Sequence, residues 1–465
     1  MRWVEWNHDQ TATEEAYGEA GRAARALVPR KAHGHYEAPL DRDPLGIIEE
    51  QNSSRIQELV PLRMQRMSQS VYTFYRGTAA IQANDLAAGP DTDHLVVAGG
   101  DAHLNNFGLF AAPDRSMVFD MNDFDEAAPA PWEWDVKRLA TSAVLAAREN
   151  GLSETAVRQA GELAASSYRK SVRAFAQQSP LERYYLRLEV GDQPQMKGSS
   201  AKALARTLRR SERRTSEEVA DRLLDRSAAG DWRFRDDPPV LTRVQGVDGE
   251  KLGEVFEQYL HSTNPDIHLL LLQYRPRDIA RRVVGVGSVG TECYIAVFSG
   301  PKGEPLILQL KAAGRSVLNT YGRMSGRFVL PEHVALRAIT AGQRVVSCQR
   351  MMQASSDPFL GFVTFQGRGF YVRQFRDRNT GIDLSRLDSF ALFDYIRICG
   401  HALARAHVQS PGAAFIAAYL GGSDSFDRAI GDWGLAYASQ AADDFAAFTA
   451  AIESGRFQLE GGLGG

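Results

Sequence analysis

Hydrophobic positions divide the first half of the chain into helical stretches and two short apolar runs that end in polar clusters. Residues 1 to about 90 are predicted to be mainly helical after an entry punctuated by proline, and residues 131–178 carry two further helical patterns. Residues 200–226 form a strongly charged helical pattern, which indicates a solvated face or, as the alternative, a surface that steers an acidic substrate. The runs "HLVVAG" (94–99) and "MVFDM" (117–121) predict buried strands.

The pattern changes at about residue 275 to short runs rich in strand-forming residues. "TECYIAVF" (291–298) and "LILQLKAA" (306–313), separated by the turn "SGPKGEP", predict a hairpin. A helical pattern follows at 332–353. Two more strands and a long helix are predicted after it, at "LGFVTF" (360–365), "GFYVRQF" (369–375) and "LDSFALFDYIRICGHALARAHVQ" (387–409). This mixture of helices and short strands predicts the α+β class.

Composition narrows the classes of protein. The 465 residues are enough for two or three domains or lobes, and a hydrophobic content of 44% is ordinary for a globular protein. A formal charge of -3 argues against nucleic-acid binding. Three widely spaced cysteines fit a reducing compartment. The start "MRWVEWNHDQ" does not resemble a signal peptide, and apolar runs stay below membrane-spanning length, so we expect a soluble cytoplasmic protein with no membrane partner.

Both apolar runs in the first half lead into unusual polar clusters. "GGDAHLNNFG" (99–108) concentrates Asp, His and Asn at the end of a predicted strand, which suits a tight turn or a place for chemistry. "MVFDMNDFDE" (117–126) ends with Asp120, Asp123, Asp125 and Glu126. Adjacent carboxylates repel one another, and a hard cation with oxygen ligands is the usual remedy. A solvated acidic turn is the alternative.

A third motif lies at Gly285, Gly287 and Gly290, in the order G-x-G-x-x-G. A dinucleotide-binding fold would open a helix at the last glycine, whereas strand-forming residues follow here. A Walker A loop is excluded because Gly290 is followed by Thr and Glu. A glycine loop, a hairpin and Lys311 on the next strand instead indicate the nucleotide-binding part of a kinase-like small lobe. The alternative for Lys311 is an edge-strand lysine that guards against aggregation.

The polar cluster at 99–108 matches the kinase motif in spacing. Asp101 and Asn106 stand in the D-x-x-x-x-N spacing of a kinase catalytic loop, in which Asp accepts the proton of the attacking hydroxyl and Asn holds Mg²⁺. "GDAHLNN" resembles the G-D-x-H-x-x-N loop of aminoglycoside and choline phosphotransferases, His103 included. The downstream stretch "PWEWDVKRLA" resembles the helix whose aspartate, here Asp135, braces that loop in those relatives.

The same resemblance implies the remaining site residues and the ligands ATP and Mg²⁺. "NDFDE" resembles the D-F-G region, with Asp123 as the main metal ligand, Asp120 as its competitor and Asp125 as a second ligand. Asp101, His103 and Lys311 are the implied catalytic residues. The implied nucleotide-binding residues are Gly285, Gly287, Ser288, Gly290, Lys311 and, at the hinge between lobes, Gln374.

Over nearly its whole length the chain resembles one uncharacterised bacterial family that is common in actinobacteria and has kinase-like motifs. The likeness runs through "VPRKAHGHYE", "FYRGTAA", "GDAHLNNFG", "NDFDEAAPAPWEWDVKRLA", "VGVGSVGTECY" and "RVVSCQRMMQASSDPFLG". It implies a fold and names no substrate.

Motif order implies a circularly permuted, two-lobed kinase-like fold with extra helices, because the glycine loop and lysine follow the catalytic loop. Such a permutation is tolerated when the original termini lie close together at the surface. The expected divisions are an N-terminal helical segment (1–94), a catalytic and metal-binding part of the large lobe (95–274), the small lobe (275–380) and helices that complete the large lobe (381–465).

Three positions depart from the pattern or stay open. Gly99 stands where many kinases have histidine, so the usual internal brace of the loop is missing or replaced. Glu332 is the only acidic residue between Lys311 and Asp357 and could pair with the lysine, although a first-turn acid of a helix is the simpler interpretation. Arg76 could contact a phosphate, but an arginine that bonds carbonyls at a helix end is favoured.

These observations predict an ATP- and Mg²⁺-dependent phosphotransferase. It would act on a hydroxyl of an unidentified acceptor, which we expect to be a small molecule rather than a protein. The alternatives are a nucleotide-binding pseudokinase or scaffold, and a kinase-fold adenylyltransferase.

Overall fold

Antiparallel sheets and a helical core place the three motifs relative to one another. The structure is a computed structural model that describes residues 13–190, 197–212, 216–227, 230–244, 249–283, 285, 289–324, 340–375 and 380–460. The helices are α1 (Glu14–Leu27), α2 (Pro44–Ser53), α3 (Val60–Met67), α4 (Val71–Arg76), α5 (Ala79–Leu86), α6 (Trp132–Glu149), α7 (Glu154–Phe175), α8 (Pro180–Tyr185), α9 (Gly198–Glu212), α10 (Ser216–Leu223), α11 (Gly249–Ser262), α12 (Pro265–Leu271), α13 (Val317–Thr320), α14 (Ala341–Met352), α15 (Ser389–His407), α16 (Ala413–Leu420) and α17 (Ser425–Glu453).

Thirteen strands are described, in four sheets. They are β1 (Leu95–Ala98), β2 (Phe107–Ala111), β3 (Met117–Met121), β4 (Ala128–Pro131), β5 (Leu224–Arg226), β6 (Trp232–Phe234), β7 (Leu241–Arg243), β8 (Arg275–Arg282), β9 (Cys293–Ser299), β10 (Pro305–Ala313), β11 (Gly361–Phe365), β12 (Arg368–Gln374) and β13 (Thr380–Gly381). The largest sheet has the order β11-β12-β10-β9-β8-β7, and β13-β2-β3 form a second sheet. The pairs β1-β4 and β5-β6 are two-stranded.

Lys311 lies in the middle of the six-stranded sheet. On β10 it is opposite Cys293 of β9 on one side and Tyr371 of β12 on the other. Directly opposite residues of antiparallel strands point to the same face, so all three side chains share one face of the sheet. Gly285, Val289 and Gly290 lie between β8 and β9 and are called the glycine turn below, and the sheet therefore holds them near Lys311.

The helical core is built around α6. This helix follows Pro131 and is buried along almost its full length, with α7, α15 and α17 packed against it. The main hydrophobic cluster extends from Tyr17 through the strands β1 to β3 to Ala441, so N-terminal and C-terminal helices share one core. A helix buried on all sides leaves its polar side chains no solvent, and they must find partners inside the protein.

The predicted α+β class is confirmed, and most predicted elements are present. Strands form at both apolar runs of the first half and at the four runs beyond residue 290, and 131–178 forms two helices. The charged stretch 200–226 differs, because it divides into α9, α10 and β5. The six-stranded sheet also begins earlier than the expected boundary at 275, because β7 is its edge strand. No described helix is long and apolar enough to cross a membrane.

Gly342 tests how α14 packs on the sheet. A Cβ atom at this position would lie 2.2 Å from the carbonyl oxygen of Phe370 in β12. We expect Gly342→Ala to lower the free energy of unfolding by about 1–3 kcal/mol, because the backbone of a central strand cannot move aside cheaply. Chemical denaturation measures the change.

The matched control is Gly253→Ala in α11, where a Cβ would meet no atom within 4 Å. This variant should be neutral or more stable, because alanine is the better helix former. Equal destabilisation by both substitutions would contradict the packing described for α14.

Candidate active site in the cleft between the helical core and the sheet

One polar stripe of α6 holds the loop that contains Asp101. Asp135, Arg138 and Ser142 are spaced by three and four residues and therefore lie on one face of the helix. The carboxylate of Asp135 accepts the amide N–H groups of Gly99 at 2.6 Å and Gly100 at 2.9 Å. Ser142 Oγ accepts the amide of Leu104 at 3.1 Å. The predicted bracing role of Asp135 is confirmed by these contacts.

The glycines before Asp101 allow this close approach. Gly100 has φ +72°, and a Cβ atom there would lie 2.6 Å from the carbonyl oxygen of Glu126. His407 of α15 supports the brace from the other side, with Nε2 3.1 Å from Asp135 Oδ2. The loop at Gly99 and Gly100 is thus held by backbone hydrogen bonds to Asp135 of α6, which His407 contacts in turn.

Arg138 contacts Asp101 itself. Its Nε and Nη2 atoms lie 2.8 and 2.6 Å from Asp101 Oδ1. Asn106 Nδ2 donates to the carbonyl oxygen of Asp101 at 2.7 Å, which fixes the amide and turns its Oδ1 away from this bond. Burial raises the pKa of Asp101 to about 7, against the opposing effect of Arg138. Such a carboxylate changes protonation near neutral pH, where a general base is most effective.

His103 lies beside Asp101 but is not a cation. Its Nε2 is 3.7 Å from Asp101 Oδ2, and the residue is 3% exposed. Burial, Arg76 and Arg138 together hold the pKa of His103 well below its ordinary range. A neutral imidazole can donate or accept one hydrogen bond in the site and cannot supply fixed positive charge.

The acidic cluster is joined to this loop and to the sheet. The amide of Asn122 donates to the carbonyl oxygen of Asn106 at 2.8 Å, which connects the two polar clusters. Lys311 Nζ contacts Asp125 Oδ2 and lies 3.9 Å from Asp123 Oδ2. Tyr371 donates to Asp125 Oδ1 at 2.8 Å. Asp125 is thereby bound on both oxygens, while Asp123 has the looser contact.

The carboxylates of this cluster differ in pKa because their partners differ. Burial and repulsion by Asp125 raise the pKa of Asp123. Burial would also raise the pKa of Asp125, but Lys311 and the Tyr371 hydroxyl hold it below its ordinary value. Burial, aided by Asp125 and Asp123, raises the pKa of Glu126, although its Oε2 accepts the amide of Val317 at 2.7 Å.

Helix α14 offers a cation rather than an acid to this region. Over its described length it contains no acidic residue, and Arg344 donates to the backbone carbonyls of Asp125 (2.7 Å) and Ala127. Glu332, the predicted candidate partner of Lys311, lies outside the described residues. The described partners of Lys311 are Asp123 and Asp125.

The motifs meet at one solvent-open cleft with an empty volume of about 770 Å³. Its walls come from the Asp101 loop, the acidic cluster, the glycine turn and the N-terminal helices. The lining residues are Gln51, Arg55, Arg76, Gly77, Ala79, Asp101, His103, Asn106, Asp123, Asp125, Glu126, Gly285, Thr291 and Val317. This volume includes the open solvent at the mouth of the cleft.

The N-terminal segment holds the glycine turn over the cleft. Arg55 Nη1 donates to the carbonyl of Val289 at 2.6 Å, and the backbone amide of Ile56 donates to the carbonyl of Gly290 at 2.8 Å. Arg66 bonds the carbonyl of Gly285. Burial lowers the pKa of Arg55 to about 10, although Glu126 and Asp125 oppose this, so the side chain stays charged at neutral pH.

Most predicted site residues are brought together. Asp101, His103, Asn106, Asp123, Asp125 and Gly285 line the cleft, and Lys311 lies behind Asp125 with 3% exposure. Gly290 closes the turn, whereas Gly287 and Ser288 lie outside the described residues. Gln374 is the last residue of β12 and is not part of the cleft lining. Its backbone amide donates to the carboxylate of Asp357.

Asp120 is separate from this group. It is 2% exposed, and its oxygens accept the amides of Met121 at 2.8 Å and Ala354 at 2.9 Å. Asp120 therefore fastens β3 to the chain that follows α14, and the cleft lining does not include it.

The residues present fit Mg²⁺ only as an ion shared with a ligand. Among the described residues, no three His, Cys, Asp or Glu side chains converge on one metal position. Mg²⁺ is commonly held by one or two protein oxygens together with substrate phosphates and water. Asn106 and Asp123 supply that kind of incomplete set.

Sequence reasoning missed Arg138 and Arg55 and misjudged Arg76. The role of Arg138 could have been predicted, because it lies three residues after Asp135 and therefore on the same helix face. Nothing in the sequence indicated the role of Arg55, because its partner Val289 is 234 residues away. The favoured expectation for Arg76, a bond to helix-end carbonyls, is wrong, because no described residue accepts a hydrogen bond from it and it lines the cleft instead.

Comparison with known proteins gives one match. The model of a protein family described as "Uncharacterized protein conserved in bacteria (DUF2252)" matches residues 55–451. No curated protein and no solved structure matches the chain. The matched range contains every residue that lines the cleft except Gln51.

The two aspartates Asp120 and Asp123 should differ in their effect on stability without any ligand. Asp120→Ala leaves the buried amide of Met121 and the half-buried amide of Ala354 without their acceptor and should cost about 1–3 kcal/mol. Asp123→Ala removes a carboxylate that is repelled by Asp125 and should leave the free energy of unfolding unchanged or higher. Urea denaturation in a chelating buffer compares the two, and greater destabilisation by Asp123→Ala would contradict the described placement.

Proposed function

The chain belongs to the DUF2252 family of uncharacterised bacterial proteins, and we propose that it is an ATP- and Mg²⁺-dependent phosphotransferase that acts on the hydroxyl of a small molecule. The observation that carries the proposal is the meeting of Asp101, Asn106, Asp123 and the glycine turn around one cleft. These groups come from chain segments up to 184 residues apart in sequence. A general base, metal-binding oxygens and a backbone turn for phosphates are what phosphoryl transfer requires.

Asp101 has the role of general base. In the proposed reaction it takes the proton of the acceptor hydroxyl while the acceptor oxygen bonds to the γ-phosphorus and the bond to the β-bridging oxygen breaks, which releases ADP. Arg138 is a positioning residue, because it fixes one carboxylate oxygen and leaves Oδ2 for the acceptor. Its charge also keeps the pKa of Asp101 from rising further.

Asn106 and Asp123 would hold Mg²⁺ through Oδ1 of the amide and a carboxylate oxygen. Bound there, the ion would neutralise phosphate charge and orient the phosphates for transfer. Lys311 and Asp125 are less available to a ligand, because they form an ion pair with each other. The Lys311 ammonium reaches a phosphate only if its ion pair with Asp125 loosens, and Tyr371 can then keep Asp125 in place through its other oxygen.

Chain order within the sheet supports kinase-like organisation. The strands β8, β9 and β10, with the glycine turn between the first two and Lys311 on the third, precede α14, and β11 and β12 follow it. The resemblance implies this succession for the small lobe. The brace from Asp135 to the Asp101 loop supports the matching assignment in the large lobe.

A second candidate is a nucleotide-binding protein without catalysis. It is favoured by the ion pairs that occupy two of the groups needed for transfer, Asp101 with Arg138 and Lys311 with Asp125. In a protein without catalysis both ion pairs could stay closed. In an enzyme, Asp101 Oδ2 must stay accessible to the acceptor hydroxyl.

Asp101→Asn separates the two candidates. Asparagine keeps the size and still accepts from Arg138, so MgADP affinity by calorimetry should stay within a few-fold. ATP hydrolysis should fall by about two to four orders of magnitude, because the base is lost. The wild-type rate should rise with pH through about 7, since only the ionised carboxylate accepts a proton.

The hydrolysis products provide the internal control. ADP and phosphate agree with phosphoryl transfer, whereas AMP and pyrophosphate would indicate adenylyl transfer instead. Equal rates for wild type and Asp101→Asn would favour the non-catalytic candidate. Failure of the wild type to bind MgADP at millimolar Mg²⁺ would overturn both.

A further inference from the structure

Arg76 differs from the other basic residues around the cleft because none of the described residues pairs with it. Arg55, Arg138 and Lys311 each form a hydrogen bond or ion pair. For Arg76, at the end of α4, no described residue supplies a hydrogen-bond acceptor or a carboxylate, and its Nε is buried. Arg76 is half-buried with its Nε fully buried, and a ligand anion in the cleft would supply the acceptor that the described residues do not.

The surroundings of Arg76 supply further donors. Gly77 and Ala79 line the cleft beside it, and Ala79 begins α5. Thr78 precedes that helix but does not cap it, because its hydroxyl donates to the carbonyl of Tyr75 at 3.0 Å. The start of α5 therefore has no side-chain cap, and Ala79 at its first position lines the cleft, where the positive end of the helix favours an anion. His103, 3% exposed, also lines the cleft and has a buried Nδ1 with no partner.

Contacts place Arg76 on the side of the base, because Arg138, which binds Asp101, also donates to the carbonyl of Tyr75, the residue before Arg76, at 2.8 Å. Arg76 is among the charges that lower the pKa of His103, next to Asp101. Arg55, by contrast, interacts with Glu126 and Asp125 of the acidic cluster. Arg55 and Arg76 thus lie at different ends of the cleft.

We propose that Arg76, with the start of α5 and His103, forms an anion subsite for the acceptor, so that the acceptor is a small hydroxyl compound carrying a phosphate or carboxylate group. The inference rests on the proposed function and narrows its substrate class. The anionic group would sit at Arg76 and direct the hydroxyl toward Asp101. Gln51 of α2, Arg76 of α4 and Ala79 of α5 line the cleft. Arg63 of α3 supports this wall through Asn52 Oδ1 (2.7 Å) and the carbonyl of Gly77 (3.2 Å).

Orthophosphate is the probe for this subsite. Isothermal titration calorimetry should detect its binding to the full chain without nucleotide, and Arg76→Gln should weaken that affinity by about ten- to a hundredfold, as expected for a lost charged hydrogen-bond donor. The control Arg22→Gln makes the same charge change at an exposed position of α1 and should leave the affinity unchanged. Thermal denaturation checks that both variants fold.

A second titration separates the acceptor from the nucleotide. With Mg²⁺ and a saturating non-hydrolysable ATP analogue, the γ-phosphate position is filled, and orthophosphate should still bind in an Arg76-dependent way. Displacement of orthophosphate by the analogue would assign Arg76 to the nucleotide and overturn the inference. Undetectable orthophosphate binding, or equal binding by wild type and Arg76→Gln, would also overturn it.

The proposed function and this inference can fail separately. Asp123→Ala should lose the Mg²⁺-dependent binding of the analogue but keep or strengthen orthophosphate binding, because it removes a negative charge from the cleft. If the wild type binds orthophosphate through Arg76 but no nucleotide, the anion subsite stands and the phosphotransferase proposal falls. If it binds MgADP but no orthophosphate, the reverse holds.

Discussion

The carboxylate of Asp135 is the contact on which the candidate site depends. It is buried in the helical core, and it is stabilised there by two loop amides and by His407. A buried carboxylate without such partners would be strongly destabilising, so the loop and the helix require each other. Through this contact a fully packed helix sets the position of a loop that has little regular structure of its own. Arg138 and Ser142 extend the same attachment along one helix face.

Opposite charges are distributed around the cleft in a way that a magnesium-phosphate ligand would complete. Two carboxylates are already neutralised, Asp101 by Arg138 and Asp125 by Lys311. On the other side, Arg55 bonds only a backbone carbonyl among the described residues and Arg76 bonds none of them. A metal ion would be attracted to Asp123, nucleotide phosphate oxygens to Arg55, and the anionic group of the acceptor to Arg76. A magnesium-nucleotide complex would therefore relieve the repulsion between the carboxylates and offer acceptors to Arg55.

The sequence predicted what depends on short segments. Strands such as β3 and β10 could be predicted because each is encoded by a short apolar run with polar residues at its end. The role of Asp135 could be predicted from the motif that surrounds it. The cleft wall at Arg55 and Arg76 was not readable, because it forms through contacts between the N-terminal helices and a turn more than 200 residues later. The partners of Lys311 were also missed, because motif reasoning looked for an acid on the following helix, whereas Asp123 and Asp125 arrive from the other side of the cleft.

The most direct test of the account is a crystal structure with Mn²⁺ and a non-hydrolysable ATP analogue. Mn²⁺ favours the same oxygen ligands as Mg²⁺ and can be located by its anomalous scattering. The account predicts a manganese peak within coordinating distance of Asn106 Oδ1 and the Asp123 carboxylate, with the terminal phosphate directed toward Asp101. A manganese peak that touches neither residue, or a nucleotide bound outside the cleft, would contradict it.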